Sequence, residues 1–258
     1  MRLAVLILAA ILLLTLAAPL IAPFDPMSTT AGPALQAPNS ENLLGTDLLG
    51  RDVLSRVLYG GRRTLVVAAE ATLIAVLPGL LIGVTAGTAG RRVNRFITVF
   101  INSWLAIPAL IMALVVLTLL GSGVEQLAIA VGIAYIAVFA QVIRSATLSV
   151  RSAGYIEAAQ ALGATGRHIV IRHITPNVRP TLYSYTGVIF SYSILNSAAL
   201  SFLGLGGDPS IPDWGTILAD GRLTFQVTPW VAVAPGLLIV MTVMAVNRLA
   251  DYWAAHDF

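Results

Sequence analysis

Apolar residues run along this chain in long blocks that do not alternate with polar ones. Six blocks stand out: Leu3–Ala22, Leu65–Ala86, Phe96–Leu120, Val124–Ile143, Leu182–Leu203 and Trp230–Ala250. Each is of the order of the about 20 helical residues needed to cross a ~30 Å hydrocarbon core. An outer-membrane barrel would instead show short alternating segments. The pattern predicts an all-α, polytopic membrane protein with six transmembrane helices, forming a single domain over residues 1–258. An even number of crossings puts both termini on one side. Pro23–Thr64, Gly121–Gly123 and Gly204–Pro229 then share the opposite side, while Gly87–Arg95 and Arg144–Thr181 lie with the termini.

Arg144–Thr181 breaks the apolar pattern at greatest length. Tyr155–Leu162 predicts a short helix closed by Gly163, a residue suited to a C-cap. Thr165 is placed to cap a second helix running through His173, with Pro176 as its stop. Glu157 stands near the start of the first helix, where a negative charge suits the dipole. Ala158, Ala159 and Ala161 give that helix a surface small enough to seat its backbone in a groove. The second helix alternates Arg167, His168, Arg172 and His173 with Ile169, Val170 and Ile171. A plainer reading makes the loop a charged connector touching lipid headgroups, and composition does not separate the two.

Composition supports the membrane reading. The chain is 57% hydrophobic and 10% charged, with a mean hydropathy of +0.87. It has no cysteine, so disulfide and thiol chemistry are excluded. All 15 basic residues are arginine. Without lysine the chain carries no GxxxxGK[ST] phosphate loop, so any nucleotide energy must be harvested by a partner. The net charge of +3 is explained by membrane orientation rather than by nucleic acid.

Arginine placement predicts that orientation. Arg2, Arg91, Arg92, Arg95, Arg144, Arg151, Arg167, Arg172, Arg179 and Arg248 fall on the side of the termini, ten against the five of Arg51, Arg56, Arg62, Arg63 and Arg222. Asp25, Glu41, Asp47, Asp52, Glu125, Asp208, Asp213 and Asp220 fall on the arginine-poor side. Both termini and the 144–181 loop are therefore expected in the cytoplasm. The four arginines of the first external connector run against the rule. The first block, with Arg2 before it and APLIAP at its end, also has the look of a signal peptide. A retained span is the preferred reading.

Glu157, Ala158, Ala159, Gly163, Ile174 and Pro176 together resemble the EAA signature of ABC-importer permeases. Leu43–Leu65 (LLGTDLLGRDVLSRVLYGGRRTL) and Leu200–Arg222 (LSFLGLGGDPSIPDWGTILADGR) resemble segments of the dipeptide/oligopeptide/nickel subfamily, and Pro229, Trp230, Pro235 and Gly236 continue the likeness. Of the two permeases such importers pair, the chain resembles the C-type subunit. The resemblance covers essentially the whole chain. It implies a type I ABC importer permease fold whose 144–181 loop docks on a cytoplasmic ATPase. It also implies a homologous permease as heterodimer partner, two ABC ATPase domains and an extracytoplasmic substrate-binding protein, in a bacterial cytoplasmic membrane. No cofactor is expected on this chain; ATP and Mg²⁺ belong to the ATPases. Two departures stand out: Thr175 where Leu is usual, and a short segment before the first span, which raises the question of the true start. Peptide is the expected substrate and nickel the runner-up, although no His or Cys lies in a span to hold a metal.

Five polar residues in the spans are pathway candidates: Glu70, Asn102, Ser191, Ser193 and Asn196. Glu70 is the one carboxylate in the interior of a span, Glu125 standing at the edge of its own, and an ionised group at mid-bilayer costs about 2.5–3.5 kcal/mol. It either lines the path or relays protons, or it reaches the interface and pairs with Arg63 or with a partner's arginine. The other four line the path or form interhelical hydrogen bonds. Pro78, Pro108 and Pro235 are expected to kink their helices. Asp208, Asp213, Trp214 and Asp220 either face a binding protein or belong to a short interfacial helix at Asp213–Ala219. A proton-coupled transporter would depend on Glu70. An intramembrane hydrolase finds no nucleophile–base pair, and His168, His173 and His256 form no zinc set.

Overall fold

The computed structural model describes residues 1–208 and 211–256; Ser210, in the loop expected to be external, lies outside the described residues. Among the described residues the chain is all-helical, apart from one isolated bridge between Thr46 and Asp52. In chain order the helices are α1 (Arg2–Leu16), α2 (Ala18–Ile21), α3 (Val53–Thr88), α4 (Arg91–Leu105), α5 (Ala109–Leu120), α6 (Val124–Arg151), α7 (Gly154–Ala161) and α8 (Gly166–Ile169). A π-helical turn, Val170–Ile174, then leads into α9 (Thr175–Phe202), followed by α10 (Trp214–Leu223) and α11 (Trp230–His256).

Helix α3 starts at Val53, well before the expected Leu65. The cause is a local cap. Asp52 Oδ2 accepts from both the N–H and the hydroxyl of Ser55 at 2.7 Å, and Asn42 Nδ2 donates to Asp52 Oδ1 at 2.9 Å. At 36 residues α3 rises about 54 Å, more than a bilayer core requires.

Helices α3 and α6 form the closest pair. Gly79, Gly83 and Gly87, spaced four apart, bring α3 onto α6. A Cβ at Gly83 would meet Ala140 O at 2.7 Å, and one at Gly87 would run into Thr147 Cγ2. Gly132 of α6 returns the fit, its would-be Cβ lying 2.6 Å from Ile74. Small residues at four-residue spacing allow such backbone approach in membranes. Contacts pair higher numbers with higher numbers, so α3 and α6 run parallel.

Two parallel helices require the chain between them to travel back. Helices α4 and α5 make that return as a pair bent by 86°. The break falls at Pro108, the N-cap of α5, where backbone ψ is 135°; the proline also disfavours helical geometry in the residue before it. Pro78 and Pro235, also expected to kink, lie inside continuous helices. Helix α9 opposes α3, its first residues Thr175 and Val178 lying beside Thr85 and Leu81. Helix α11 opposes α9, pairing Asn247 with Ser191 and Ala250 with Gly187. Helix α1 ends beside the start of α3, where a Cβ on Gly61 would meet Thr15. The bundle therefore has an α10 end and an α7 end, and the directions alternate from α1 to α11.

By length and composition α3, α6 and α11 each suffice to cross a membrane, and α4 with α5 suffices as a bent pair. Helix α1 has 15 residues and is extended by the single turn of α2. Helix α9 is long but carries serines, tyrosines and prolines.

Candidate functional site

At the α10 end the two segments Leu43–Leu65 and Leu200–Arg222 form one interlocked unit. Asp47 sits between Arg51 and Arg56, accepting from Arg51 Nε at 2.6 Å and also from Arg56 Nη1. Asp220 accepts from Arg51 Nη2 at 3.0 Å and Arg56 Nη2 at 2.9 Å. Two arginines and two aspartates thus close a neutral ring, with the Arg56 side chain 0% exposed. Arg63 donates to the carbonyls of Gly206 (2.5 Å) and Ile211 (2.6 Å). The arginines that broke the charge rule are mostly consumed by acids and carbonyls of the same end, and Arg63 is not the partner of Glu70.

Trp214 is not an interfacial residue: it is 0% exposed. Its indole N–H donates to Val57 O at 3.0 Å, and its backbone N–H donates to Thr64 Oγ1 at 3.0 Å. The bare backbone of Gly61 makes room for the ring, since a Cβ there would stand 2.8 Å from Trp214 Cζ2. Asp213 caps α10, accepting from Gly215 N at 2.8 Å and Thr216 N at 3.0 Å, while Thr216 Oγ1 accepts from Asp213 N. Burial pushes the Asp213 carboxyl above its ordinary 3.8; the Thr216 N–H, the Arg63 guanidinium, the Ser201 hydroxyl and the Gly215 N–H oppose that shift. Asp213 and Trp214 are committed to this packing, which leaves them little to offer a docking partner, whereas Asp220 pairs with both arginines and keeps its side chain 39% exposed.

The α7 end is built differently. Ile156, Ile169 and Ile174 are buried and join the main core with Val178 and Ile189. They pin the loop to α6 and α9. Ile174, expected to contact a partner, is therefore an internal anchor. Glu157, Ala158, Gly163 and Pro176 are exposed and Ala159 is half-buried. Gly163 takes φ +86°, as expected of a helix-ending glycine. Leu162 stands 89% exposed, and Tyr155 and Ile171 are exposed as well. The sequence reading placed all three on the two short helices without foreseeing their exposure, since it attended to the small and charged residues. A leucine directly before a helix-ending glycine was the available signal.

Pro176 does not stop the second helix. Thr165 caps α8 as expected, accepting from His168 N. The chain then continues through the π turn into α9. Thr175 closes that turn, its N–H and its hydroxyl (2.9 Å) both donating to Val170 O. The wider turn absorbs the proline, whose missing N–H would otherwise interrupt an α-helix. Helix α8 is thereby joined to α9 with no loop between them. Arg151 ties the same end to the α3–α4 connector, donating from Nη1 to the carbonyls of Gly87, Thr88 and Ala89 at 3.0–3.1 Å. A cation there suits the C-terminus of α3.

The pathway candidates separate. Ser191 and Ser193 are buried; Ser191 Oγ bonds Gly187 O at 3.0 Å and Asn247 Oδ1 at 3.2 Å, which makes it an α9–α11 contact. Glu70 and Asn102 are exposed, Glu70 on a face of α3 shared with Val66, Leu73, Leu77 and Leu81. Asn196 Nδ2 donates to the Tyr135 hydroxyl at 2.6 Å, and Tyr135 stacks on exposed Tyr192 with ring centroids 5.6 Å apart. Tyr135 was not foreseen; only its position opposite α9 brings it to this patch. Among the described residues no cluster of His, Asp or Glu could hold a metal.

Residues 79–256 match the family of binding-protein-dependent transport system inner membrane components, and the chain belongs to that family. It is 33% identical to the dipeptide transport system permease protein DppC of Alkalihalophilus pseudofirmus, over 95% of this chain and 81% of the relative. It is 36% identical to the glutathione transport system permease protein GsiD of Pectobacterium atrosepticum, over 84% of this chain and 72% of the relative. Its fold is similar to a chain of the inward-facing MetNI methionine ABC transporter, with TM-score 0.68 at 20% identity, covering 79% of this chain and 96% of that one.

Proposed function

We propose that the chain is the transmembrane permease subunit of an ATP-driven importer of di- or oligopeptides. It works beside a homologous permease, two ATPase domains and an extracytoplasmic binding protein. The relatives carry names for dipeptide, di/tripeptide and glutathione transport, which favours short peptides as cargo. The observation that carries the reading is the loop at the α7 end. Three isoleucines fix it to the bundle while Glu157, Ala158, Leu162, Arg167 and Arg172 project outward, as a surface that receives force from a partner requires.

In this reading the alternating helices make six crossings, with the first formed by α1 and α2 and the fifth by α9. Both termini and the 144–181 loop face the cytoplasm. ATPase closure pushes Glu157–Pro176; the continuous α8–α9 path carries the push to Tyr192 and Asn196. Glu70, Asn102 and Asn196 lie on outer faces of the subunit, so the path runs between this chain and its homologous partner. Ser191 holds α9 against α11 through Asn247.

Topology is tested with single cysteines, since the chain has none of its own. An impermeant thiol reagent added to intact cells is expected to label a cysteine at Glu41 and to spare one at Thr165. Labelling at Thr165 overturns both the orientation and the coupling role of the loop. The division of labour is tested in parallel. The purified chain alone is expected to hydrolyse no ATP, and peptide uptake into vesicles is expected only when both ATPases and the second permease are present.

A further inference from the structure

An open cavity of about 390 Å³ at the α7 end is lined by Arg91, Asn94, Arg95, Thr98, Val99 and Arg144. Three arginines line one space, although like charges repel unless something negative lies between them. Among the described residues no carboxylate pairs with them: the salt bridges there all lie at the α10 end. The site is also held in shape. Asn94 Oδ1 accepts from Arg144 Nε at 3.0 Å and from Thr98 Oγ1 at 3.1 Å, which leaves the Asn94 amide N–H groups as donors. Helix α4 begins here at Gly90 with no side-chain cap, so its first N–H groups add positive potential.

What fills the cavity is indicated by the rest of α4. Val93, Phe96, Val99 and Phe100 are exposed along the same short helix. Between α4 and α3 a second, apolar cavity of about 270 Å³ is lined by Leu81, Ile82, Phe96, Ile97 and Phe100. A basic pocket next to exposed apolar surface suits an amphiphile with an anionic head. We infer that Arg91, Asn94, Arg95 and Arg144 bind the phosphate of an acidic phospholipid from the cytoplasmic leaflet, its acyl chains lying along α4. Basic pockets between membrane helices on that side are suited to such headgroups. The lipid bridges the start of α4 to α6, close to the loop that receives ATPase force. The inference rests on the cytoplasmic placement of the Gly87–Arg95 connector proposed above. Cysteine labelling tests that placement separately, whereas lipid binding is read in detergent without reference to sides.

The test is native mass spectrometry of the delipidated full chain, titrated with phosphatidylglycerol and with phosphatidylcholine of the same acyl chains. Phosphatidylglycerol is expected to be retained about tenfold better or more. Arg91→Gln and Arg95→Gln should each lower its retention about fivefold, the contribution of one arginine near an anionic lipid. Arg92→Gln, outside the cavity, should lower it less. Asn94→Leu should also weaken retention although it leaves the charge unchanged, an effect that a diffuse surface field would not produce. Equal retention of both lipids overturns the inference, and this wild-type comparison stands even if a variant fails to fold. Wild-type behaviour of Asn94→Leu, with Arg92→Gln as damaging as Arg95→Gln, reduces the site to a general field and overturns it too. Displacement by an equal concentration of inorganic phosphate would assign the cavity to a soluble anion instead. Loss of the lipid when the ATPases assemble would assign the surface to a protein contact.

Discussion

At the α10 end Arg51 and Arg56 meet Asp47 and Asp220, and Arg63 meets backbone carbonyls. At the α7 end Arg91, Arg95, Arg167 and Arg172 have no carboxylate partner among the described residues, and Leu162 and Ile171 project into solvent. Both ends are rich in arginine, yet the first uses it to close the fold and the second presents it. A charge held at 0% exposure must be paired within the chain, because leaving it alone in a low dielectric is costly. A charge left exposed is free to meet something outside. The first end therefore governs whether the subunit folds, and in the function proposed above the second governs whether a folded subunit assembles and transports.

The largest expected effect separates these roles. Arg56→Ala leaves Asp47 buried without one of its two arginines and should destabilise the chain by about 3–5 kcal/mol. Thermal unfolding of the purified chain checks this. Arg56→Met combined with Asp47→Asn should recover part of the loss, because the buried charge goes with its partner while the Asn oxygen still accepts from the N–H groups of Leu49 and Arg51. Wild-type stability for Arg56→Ala would break the contrast at once.

Leu162→Asp should act in the opposite way. The side chain is almost fully exposed, so stability should move by less than about 0.5 kcal/mol. If Leu162 enters an ATPase groove, the new carboxylate meets an apolar surface. Copurification of the ATPase should then fall about tenfold or more, equivalent to about 1.4 kcal/mol. Normal assembly with normal transport would remove Leu162 from the docking surface.

The smallest effect belongs to the α10 cap. Asp213→Ala loses two backbone acceptor contacts and should cost about 1 kcal/mol of stability. Asp213→Asn keeps a capping oxygen and should cost less. The carboxyl is raised in the fold, so folding takes up a proton between the ordinary 3.8 and the raised value. Its contribution to stability should fall as pH rises through that window and stay level above it. The Asn variant should lack that slope in acid unfolding curves.

The apolar blocks were legible because a hydrocarbon solvent demands long runs of apolar residues, and no tertiary contact is needed to see them. The sequence by itself determined the membrane class, the rough spans, the uneven arginine count, the absence of a lysine phosphate loop, the cap at Thr165 and the glycine end at Gly163. Those are local properties, set by residues within a turn or two or by composition. Tertiary structure alone decided the rest. Trp214 is buried because Gly61, more than a hundred residues earlier, has no side chain; Arg56, already paired with Asp47, also meets Asp220 from the distant 200–222 segment. Ser191 turns inward because Asn247 lies opposite, while Tyr135 reaches Asn196 across two helices. Even Pro176, a strong local signal for a helix end, gave way to a π turn closed by Thr175. Pairing and burial depend on which distant residues arrive together, and one chain read in order does not contain that information.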